Sequence, residues 1–211
     1  FVFGPSTSIV KTGNGFEVAG HRWSKDENSA RGLELVKVNN DLDFIDRKIV
    51  FHLEDHSTNI PGILDIKNSL KVVYGSFIQN SGGIDGGAYV GILDKTTDST
   101  INEVIFRAPE EYPYSLYNVY DLQETRDSNL LFIAETRQAD ESVTGFSPYY
   151  EIVKFNHGGE VLNRVKAERR SNKQAILEGE DGGLYIFNRR IPFLLDTILP
   201  CADQSGGLVK I

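Results

Sequence analysis

The sequence predicts an all-β protein that is built from four repeated units of antiparallel strands. Three observations predict this fold class. An apolar run follows a polar turn four times, the runs recur at intervals of 54, 60 and 54 residues, and a second β-prone segment follows each run at a similar distance. Self-similarity at a period of roughly 50 residues is typical of repeat architectures, and four-stranded units of this kind predict the blades of a β-propeller. The apolar runs begin at Phe16, Leu70, Leu130 and Leu184.

The first unit shows the order of strands most clearly. Asn14-Gly15 separates two alternating segments, and this dipeptide is typical of a tight hairpin because both central residues need a positive φ. A polar loop over 24–31 and a turn at 39–41 separate the later segments. The alternating segments predict four half-buried strands, at 7–12, 16–20, 33–38 and 44–51.

The other units repeat this order, although the fourth ends before its last strand. Phe1-Val2-Phe3 is similar to the ends of the fourth strands at 49–51 and 104–106, so we expect the N-terminus to complete the fourth unit and to close a ring of about four blades. The alternative is that the chain is part of a larger propeller. The predicted units of this single domain are about 6–51, 60–106, 117–166 and 173–211 plus 1–3. Their remaining strands are predicted at 63–66, 70–78, 89–93, 101–106, 119–124, 130–136, 149–155, 161–165, 174–177, 184–188 and 208–211.

The composition excludes several classes of protein. The chain has 22 Lys and Arg against 30 Asp and Glu, a net charge of −8, and an acidic surface repels the phosphate backbone of nucleic acid. A single cysteine, Cys201, allows no intrachain disulfide, and no apolar run is long enough to predict a transmembrane segment. The chain begins at Phe1 and contains no Met, which fits removal of a signal peptide or an excerpted chain.

Two of the units resemble the repeats of bacterial exported β-propeller proteins. The first unit carries Asn14-Gly15-Phe16-Glu17-Val18-Ala19-Gly20 followed by Leu35-Val36-Lys37-Val38, and the third carries Ile152-Val153-Lys154-Phe155 before a His-Gly-Gly turn. In the second unit, Tyr74-Gly75 replaces Ala-Gly. The resemblance implies a propeller that serves as a surface, adhesion or scaffold module, in a secreted, periplasmic or cell-surface location, with structural roles for the motif residues.

Aromatic and polar residues on the predicted loops are the candidate binding residues. Exposed Tyr and Trp combine apolar area with a hydrogen-bonding group, as protein- and sugar-binding surfaces do. The alternative is that these side chains pack between blades. The candidates are His21, Arg22, Trp23, Tyr112, Tyr114, Tyr117, Tyr120 and Tyr149.

No catalytic residue is predicted. The chain has no nucleophile elbow and no phosphate loop, and its adjacent loop acids, such as Glu110-Glu111, do not mark the separated carboxyl pair of a glycosidase. No cofactor is expected, although loop oxygens at 26–28 and 94–98 could bind a structural calcium ion. We therefore expect a protein that is not an enzyme: a module that binds a protein or carbohydrate ligand and that can form part of a larger assembly. The alternatives are a carbohydrate-binding lectin and a propeller-type hydrolase or lyase.

Overall fold

A computed structural model describes residues 8–24, 29–79, 86–107, 116–137, 146–168, 174–188 and 208–210. These residues form four antiparallel sheets, which we number as blades 1 to 4 in chain order. Blade 1 contains β1 (Ser8–Thr12), β2 (Gly15–Ser24), β3 (Ser29–Asn39) and β4 (Phe44–Phe51). Blade 2 contains β5 (His56–Ile66), β6 (Leu70–Gln79), β7 (Gly86–Asp94) and β8 (Thr100–Phe106). Blade 3 contains β9 (Leu116–Glu124), β10 (Leu130–Arg137), β11 (Phe146–Phe155) and β12 (Val161–Glu168), and blade 4 contains β13 (Gln174–Glu178), β14 (Leu184–Asn188) and β15 (Leu208–Lys210).

The blades pack face to face, with the first strand of each blade on the inside. β5 contacts both β1 and β9, and β9 contacts β13, whereas the fourth strands are mostly exposed. Three apolar cores fill the spaces between neighbouring blades. The core between blades 1 and 2 is centred on Leu35 and Phe77, the core between blades 2 and 3 on Phe106 and Phe132, and the core between blades 3 and 4 on Ile133. The segment Phe1-Val2-Phe3 lies outside the described residues, so closure by the N-terminus stays a prediction.

Several strands extend further than the sequence predicts. β5 begins at His56, seven residues before the strand predicted at 63–66, and it continues past Pro61 through a register shift against β6 between Asn59 and Gly62. A bulge of this kind accommodates a proline, which cannot donate to the ladder. β2 likewise continues to Ser24, into the predicted loop. Residues that were predicted on loops therefore lie on strands.

The two ends of each blade differ in their connections. One end, which we call the turn end, carries the short hairpins between first and second strands. Here the carboxylate of Glu124 accepts a hydrogen bond from the backbone N–H of Lys67 at 3.1 Å, and that of Glu178 accepts one from the N–H of Arg126 at 2.7 Å. The other end, the loop end, carries the connections from second to third strands and from one blade to the next. No helix that could cross a membrane occurs within the described parts of the chain.

Candidate functional site

A bulge in the inner strand of blade 3 turns two consecutive side chains towards blade 4. Asp121 pairs with Ile133 and Val119 pairs with Ala134, so Tyr120 has no residue opposite it. Tyr120 packs against the core between blades 3 and 4, and Oδ2 of Asp121 accepts a hydrogen bond from the N–H of Ile176 in β13 at 3.0 Å. Bulges occur often next to active sites because they redirect side chains. β5, the first strand of blade 2, also carries a bulge, between Asn59 and Gly62.

A buried carboxylate accompanies this bulge. Glu135 in β10 is fully buried, and Oε2 accepts a hydrogen bond from the hydroxyl of Tyr120. Tyr150 lies opposite Glu135 in β11, with its ring 6.1 Å from that of Tyr120. On the other side, Asn118 pairs with Glu135, and its side-chain oxygen is buried with no hydrogen-bond partner among the described residues. We call these residues the blade 3–4 polar cluster: Asn118, Tyr120, Asp121, Glu135 and Tyr150.

The protonation of Asp121 is shifted by its surroundings. Burial raises the pKa of this carboxyl above its ordinary value, although backbone hydrogen bonds from Ile176 and Leu122 oppose the shift. Burial, and then the charge of Asp121, also raise the pKa of Tyr74 well above its usual range. A carboxyl group that keeps its proton to higher pH can donate that proton to a leaving group, which is the role of a general acid.

A second polar arrangement links blades 1 and 2 at the loop end. Nδ1 of His21 lies 3.1 Å from Oγ1 of Thr58. The Thr58 hydroxyl donates to the carbonyl oxygen of Gly32 at 2.9 Å and accepts from its N–H at 3.3 Å. Because a hydroxyl has one proton, this pattern makes His21 the donor in its contact with Thr58. Burial lowers the pKa of His21, so the neutral form is favoured.

The predicted binding residues are divided between these arrangements and the rest of the loop end. Tyr120 belongs to the blade 3–4 polar cluster and lies on β9, within the strand predicted at 119–124. His21 belongs to the contact with Thr58 and lies on β2, just beyond the strand predicted at 16–20. Four others, Arg22, Trp23, Tyr117 and Tyr149, lie in the loop-end halves of their strands, where only the backbone is described. Tyr112 and Tyr114 lie outside the described residues.

The residues that sequence reasoning missed are Asn118, Asp121 and Glu135. Glu135 directly follows five consecutive apolar residues of β10, and a charged residue at the end of such a run is a signal that could have singled it out. Asp121 carries no comparable signal, because its orientation depends on the bulge.

The acids of one of the two predicted calcium loops, at 94–98, are engaged by protein groups, whereas the other loop, at 26–28, lies outside the described residues. Asp94 accepts hydrogen bonds from the backbone of Thr96 and Thr97, and Asp98 pairs with Lys37 and Lys71. Within the described ranges, no three His, Cys, Asp or Glu side chains are grouped so that they could hold a metal ion. A structural calcium ion stays a prediction.

Comparison with known proteins finds similarity of structure alone. No protein-family model matches the chain, and no curated protein matches it. Among solved structures, it is similar to an exo-β-1,3-galactanase from Clostridium thermocellum, with a TM-score of 0.57 and 13% identity over 88% of this chain and 42% of that one. A GH43 endo-arabinanase from Bacillus licheniformis gives a TM-score of 0.54 and 15% identity over 88% of this chain and 64% of that one. A xylan β-1,4-xylosidase from Bacillus halodurans gives a TM-score of 0.59 and 9% identity over 88% of this chain and 36% of that one.

These matches correct one prediction and confirm another. The sequence predicted a protein that is not an enzyme, and this prediction is wrong, because the solved structures with the same fold are glycoside hydrolases. The exported repeat proteins that two units resemble are not among the structures compared above. Those structures are GH43 propellers with five blades, and the chain spans less than two thirds of each. Together with the four antiparallel sheets, they confirm the predicted fold: the chain is a β-propeller.

Proposed function

We propose that the chain acts on a carbohydrate as a hydrolase of the propeller type. The observation that carries this proposal is Asp121, a half-buried carboxyl with a raised pKa on the inner strand of blade 3. The glycoside hydrolases that share the fold support the choice of carbohydrate. An exported location remains part of the prediction from the sequence.

Glycoside hydrolysis explains why a carboxyl of this kind would be useful. Most glycosidases use two carboxyl groups, one of which has a raised pKa and protonates the oxygen of the leaving group. We assign that proton to Asp121. Glu135 has no exposed surface, so we assign it a positioning role: it fixes the hydroxyl of Tyr120, which is only partly buried and offers a ring and a polar tip to a sugar. The buried oxygen of Asn118 would accept a hydrogen bond from a sugar hydroxyl.

The test is hydrolysis of polysaccharides by the intact chain and by single variants. The substrates are β-1,3-galactan, arabinan and β-1,4-xylan, and the measurement is the release of reducing ends. We expect Asp121→Asn to lower the rate by roughly 10²–10⁴-fold, the contribution typical of a general acid. The control is Asp65→Asn, which changes an exposed carboxyl of β5 at the turn end and should leave the rate unchanged.

Two results would refute the proposal. The first is that the intact chain releases no reducing ends from any of the three substrates. The second is that Asp121→Asn hydrolyses a substrate as fast as the wild type does while showing the same circular dichroism. The positioning role of Glu135 has its own readout, because Glu135→Gln should raise KM more than it lowers kcat.

A further inference from the structure

We propose that Tyr74 and Ser76, on β6 of blade 2, are positioning residues that hold the bulge of β9 and so fix the direction of Asp121. The inference deepens the proposed function, on which it rests for the role of Asp121, by adding the residues that orient this carboxyl group. It follows from three observations: two hydrogen bonds that flank the bulge, a backbone N–H that Tyr74 shares with Asp121, and a glycine that makes room for the Tyr74 ring.

The backbone on either side of the bulge bonds to side chains of blade 2. Val119, directly before the bulge, donates its N–H to Oγ of Ser76 at 2.9 Å. Leu122, directly after it, donates its N–H to the hydroxyl oxygen of Tyr74. Tyr74 and Ser76 are two residues apart on β6 and both are buried, so their side chains point to one face, towards β9. The two bonds therefore fix both ends of the bulge.

The bond from Leu122 also brings Tyr74 to Asp121. The carboxylate of Asp121 accepts a hydrogen bond from the same N–H of Leu122, and it accepts one from the N–H of Ile176 at 3.0 Å. Two oxygens that share one N–H lie beside each other, and the charge of Asp121 accordingly contributes to raising the pKa of Tyr74. An N–H that serves two acceptors stabilises the carboxylate less than one that serves it alone. The Tyr74 hydroxyl thus helps Asp121 to keep its proton.

A glycine opposite Tyr74 leaves room for its ring. Gly62 pairs with Tyr74 in blade 2, directly after Pro61 and at the end of the register shift in β5. A Cβ atom at position 62 would lie 2.4 Å from the hydroxyl oxygen of Tyr74. Blade 1 carries Ala19 at the position of Tyr74, and a methyl group is too short to reach the inner strand of the next blade. The departure of the second unit from the Ala-Gly pattern therefore brings a hydroxyl to the bulge.

Blade 4 holds β9 from the other side. Nε2 of Gln123 donates to the carbonyl oxygen of Ile176 at 2.6 Å, so side chains of β9 bind both the C=O and the N–H of this residue. Because blade 2 fixes the backbone of the bulge and blade 4 fixes the carboxyl group, loosening the first contact should loosen the second. The other titratable side chains described on the strands around Asp121 bond elsewhere: His56, Asp65, Lys71, Glu124, Glu135 and Glu178.

The first test measures the titration of Asp121 by NMR of the carboxyl carbons in the intact chain, with the signal assigned from its loss in Asp121→Asn. We expect Tyr74→Phe to lower the pKa of Asp121, because the N–H of Leu122 then serves the carboxylate alone. The matched control is Tyr89→Phe, which removes a buried hydroxyl that donates to the carbonyl oxygen of Val50 at 3.2 Å, between blades 1 and 2. This variant should leave the titration of Asp121 unchanged.

The second test measures amide hydrogen exchange on the far side of β9. Ser76→Ala removes the acceptor of the Val119 N–H, so we expect the N–H of Ile176 in blade 4 to exchange about fivefold faster, as the loss of one hydrogen bond allows. The control is Ser8→Ala, which removes a hydroxyl that bonds to the backbone of blade 2 and should leave the exchange of Ile176 unchanged. A role of Ser76 that is limited to its own contact would not reach blade 4.

The outcomes separate this inference from the proposed hydrolysis. An unchanged titration of Asp121 in a folded Tyr74→Phe variant, or an equal change in both tyrosine variants, overturns the inference. Exchange of Ile176 that is equally fast in both serine variants also overturns it, and this measurement decides the matter if Tyr74→Phe does not fold. A chain that hydrolyses none of the three polysaccharides but shows both expected changes supports the inference and refutes the hydrolase. In an active chain, Tyr74→Phe should move the loss of kcat at high pH to lower pH and leave KM unchanged, which supports both proposals.

Discussion

Replacing Lys71 by methionine should weaken the contact between blades 1 and 2. Nζ of Lys71 lies 2.6 Å from Oε2 of Glu17 and also pairs with Asp98, while the side chain of Lys71 is 1% exposed. Methionine has a similar length but no charge, so two carboxylates would remain together in a dry interface. Removing one partner of a buried ion pair costs roughly 3–5 kcal/mol. Lys37, at 2.5 Å from Asp98, stays in place and offsets part of this loss, so we expect about 3 kcal/mol.

Thermal unfolding measures this effect. In a chain of this size 1 kcal/mol shifts Tm by roughly 2–4 °C, so Lys71→Met should lower Tm by about 6–12 °C. The control is Lys95→Met, which breaks a partly exposed ion pair with Asp65 at 3.4 Å and should cost less than about 1 kcal/mol. Equal Tm values for the two variants would refute the view that the buried ion pairs stabilise the interface.

The pH dependence of the Lys71→Met effect has a definite sign. Burial acts to raise the pKa of Asp98, but hydrogen bonds from Lys37 and Lys71 outweigh it and hold the pKa below its usual value. A lowered folded-state pKa contributes stability above the unfolded-state pKa, and this contribution is lost as the pH falls through the folded-state pKa. The difference in stability between the wild type and Lys71→Met should therefore shrink below about pH 4.

Two further predictions concern tightly packed tyrosines. Gly62→Ala would place a Cβ atom 2.1 Å from Cζ of Tyr74, so we expect urea unfolding to show a loss of roughly 1–3 kcal/mol in stability. The control is Gly13→Ala, whose Cβ atom would have no atom within 4 Å and should change the stability little. Equal urea midpoints for the two variants would contradict this account. Burial raises the pKa of Tyr74, so its phenolate absorbance should appear only when the protein unfolds at high pH. Ionisation of Tyr74 while the near-ultraviolet circular dichroism of the folded protein is intact would contradict this prediction.

The repeats were predictable because each one is a local pattern. Alternation and turn residues specify a strand and its hairpin without reference to the rest of the chain, as Asn14-Gly15 shows between β1 and β2. The loop ends of the strands were not predictable in the same way. Pro61 breaks the local pattern of β5, and only the pairing with β6 shows that the strand continues around it.

The polar cluster was harder to predict than the strands. Alternation tells which side chains share a face, but it does not tell which neighbouring blade covers that face. The orientation of Asp121 depends on the bulge at Tyr120, and its hydrogen bond depends on Ile176, 55 residues away. The sequence singled out Tyr120 as an exposed loop aromatic, whereas the structure places its hydroxyl on a buried carboxylate.

The hydrogen bonds between blades at the turn end give the stack a direction. In both bonds that a turn backbone N–H donates, the acceptor belongs to the later blade: Glu124 accepts from the turn of blade 2, and Glu178 accepts from the turn of blade 3. In an array where each unit depends on its neighbours, such one-way contacts make the turn of one blade depend on the blade that follows it and not on the blade that precedes it. Loss of blade 4 would remove the acceptor of the Arg126 N–H, while loss of blade 3 would disturb the turn of blade 2 but not that of blade 4. The first hairpins of blades 2 and 3 are thus each completed by a carboxylate of the blade that follows in the chain.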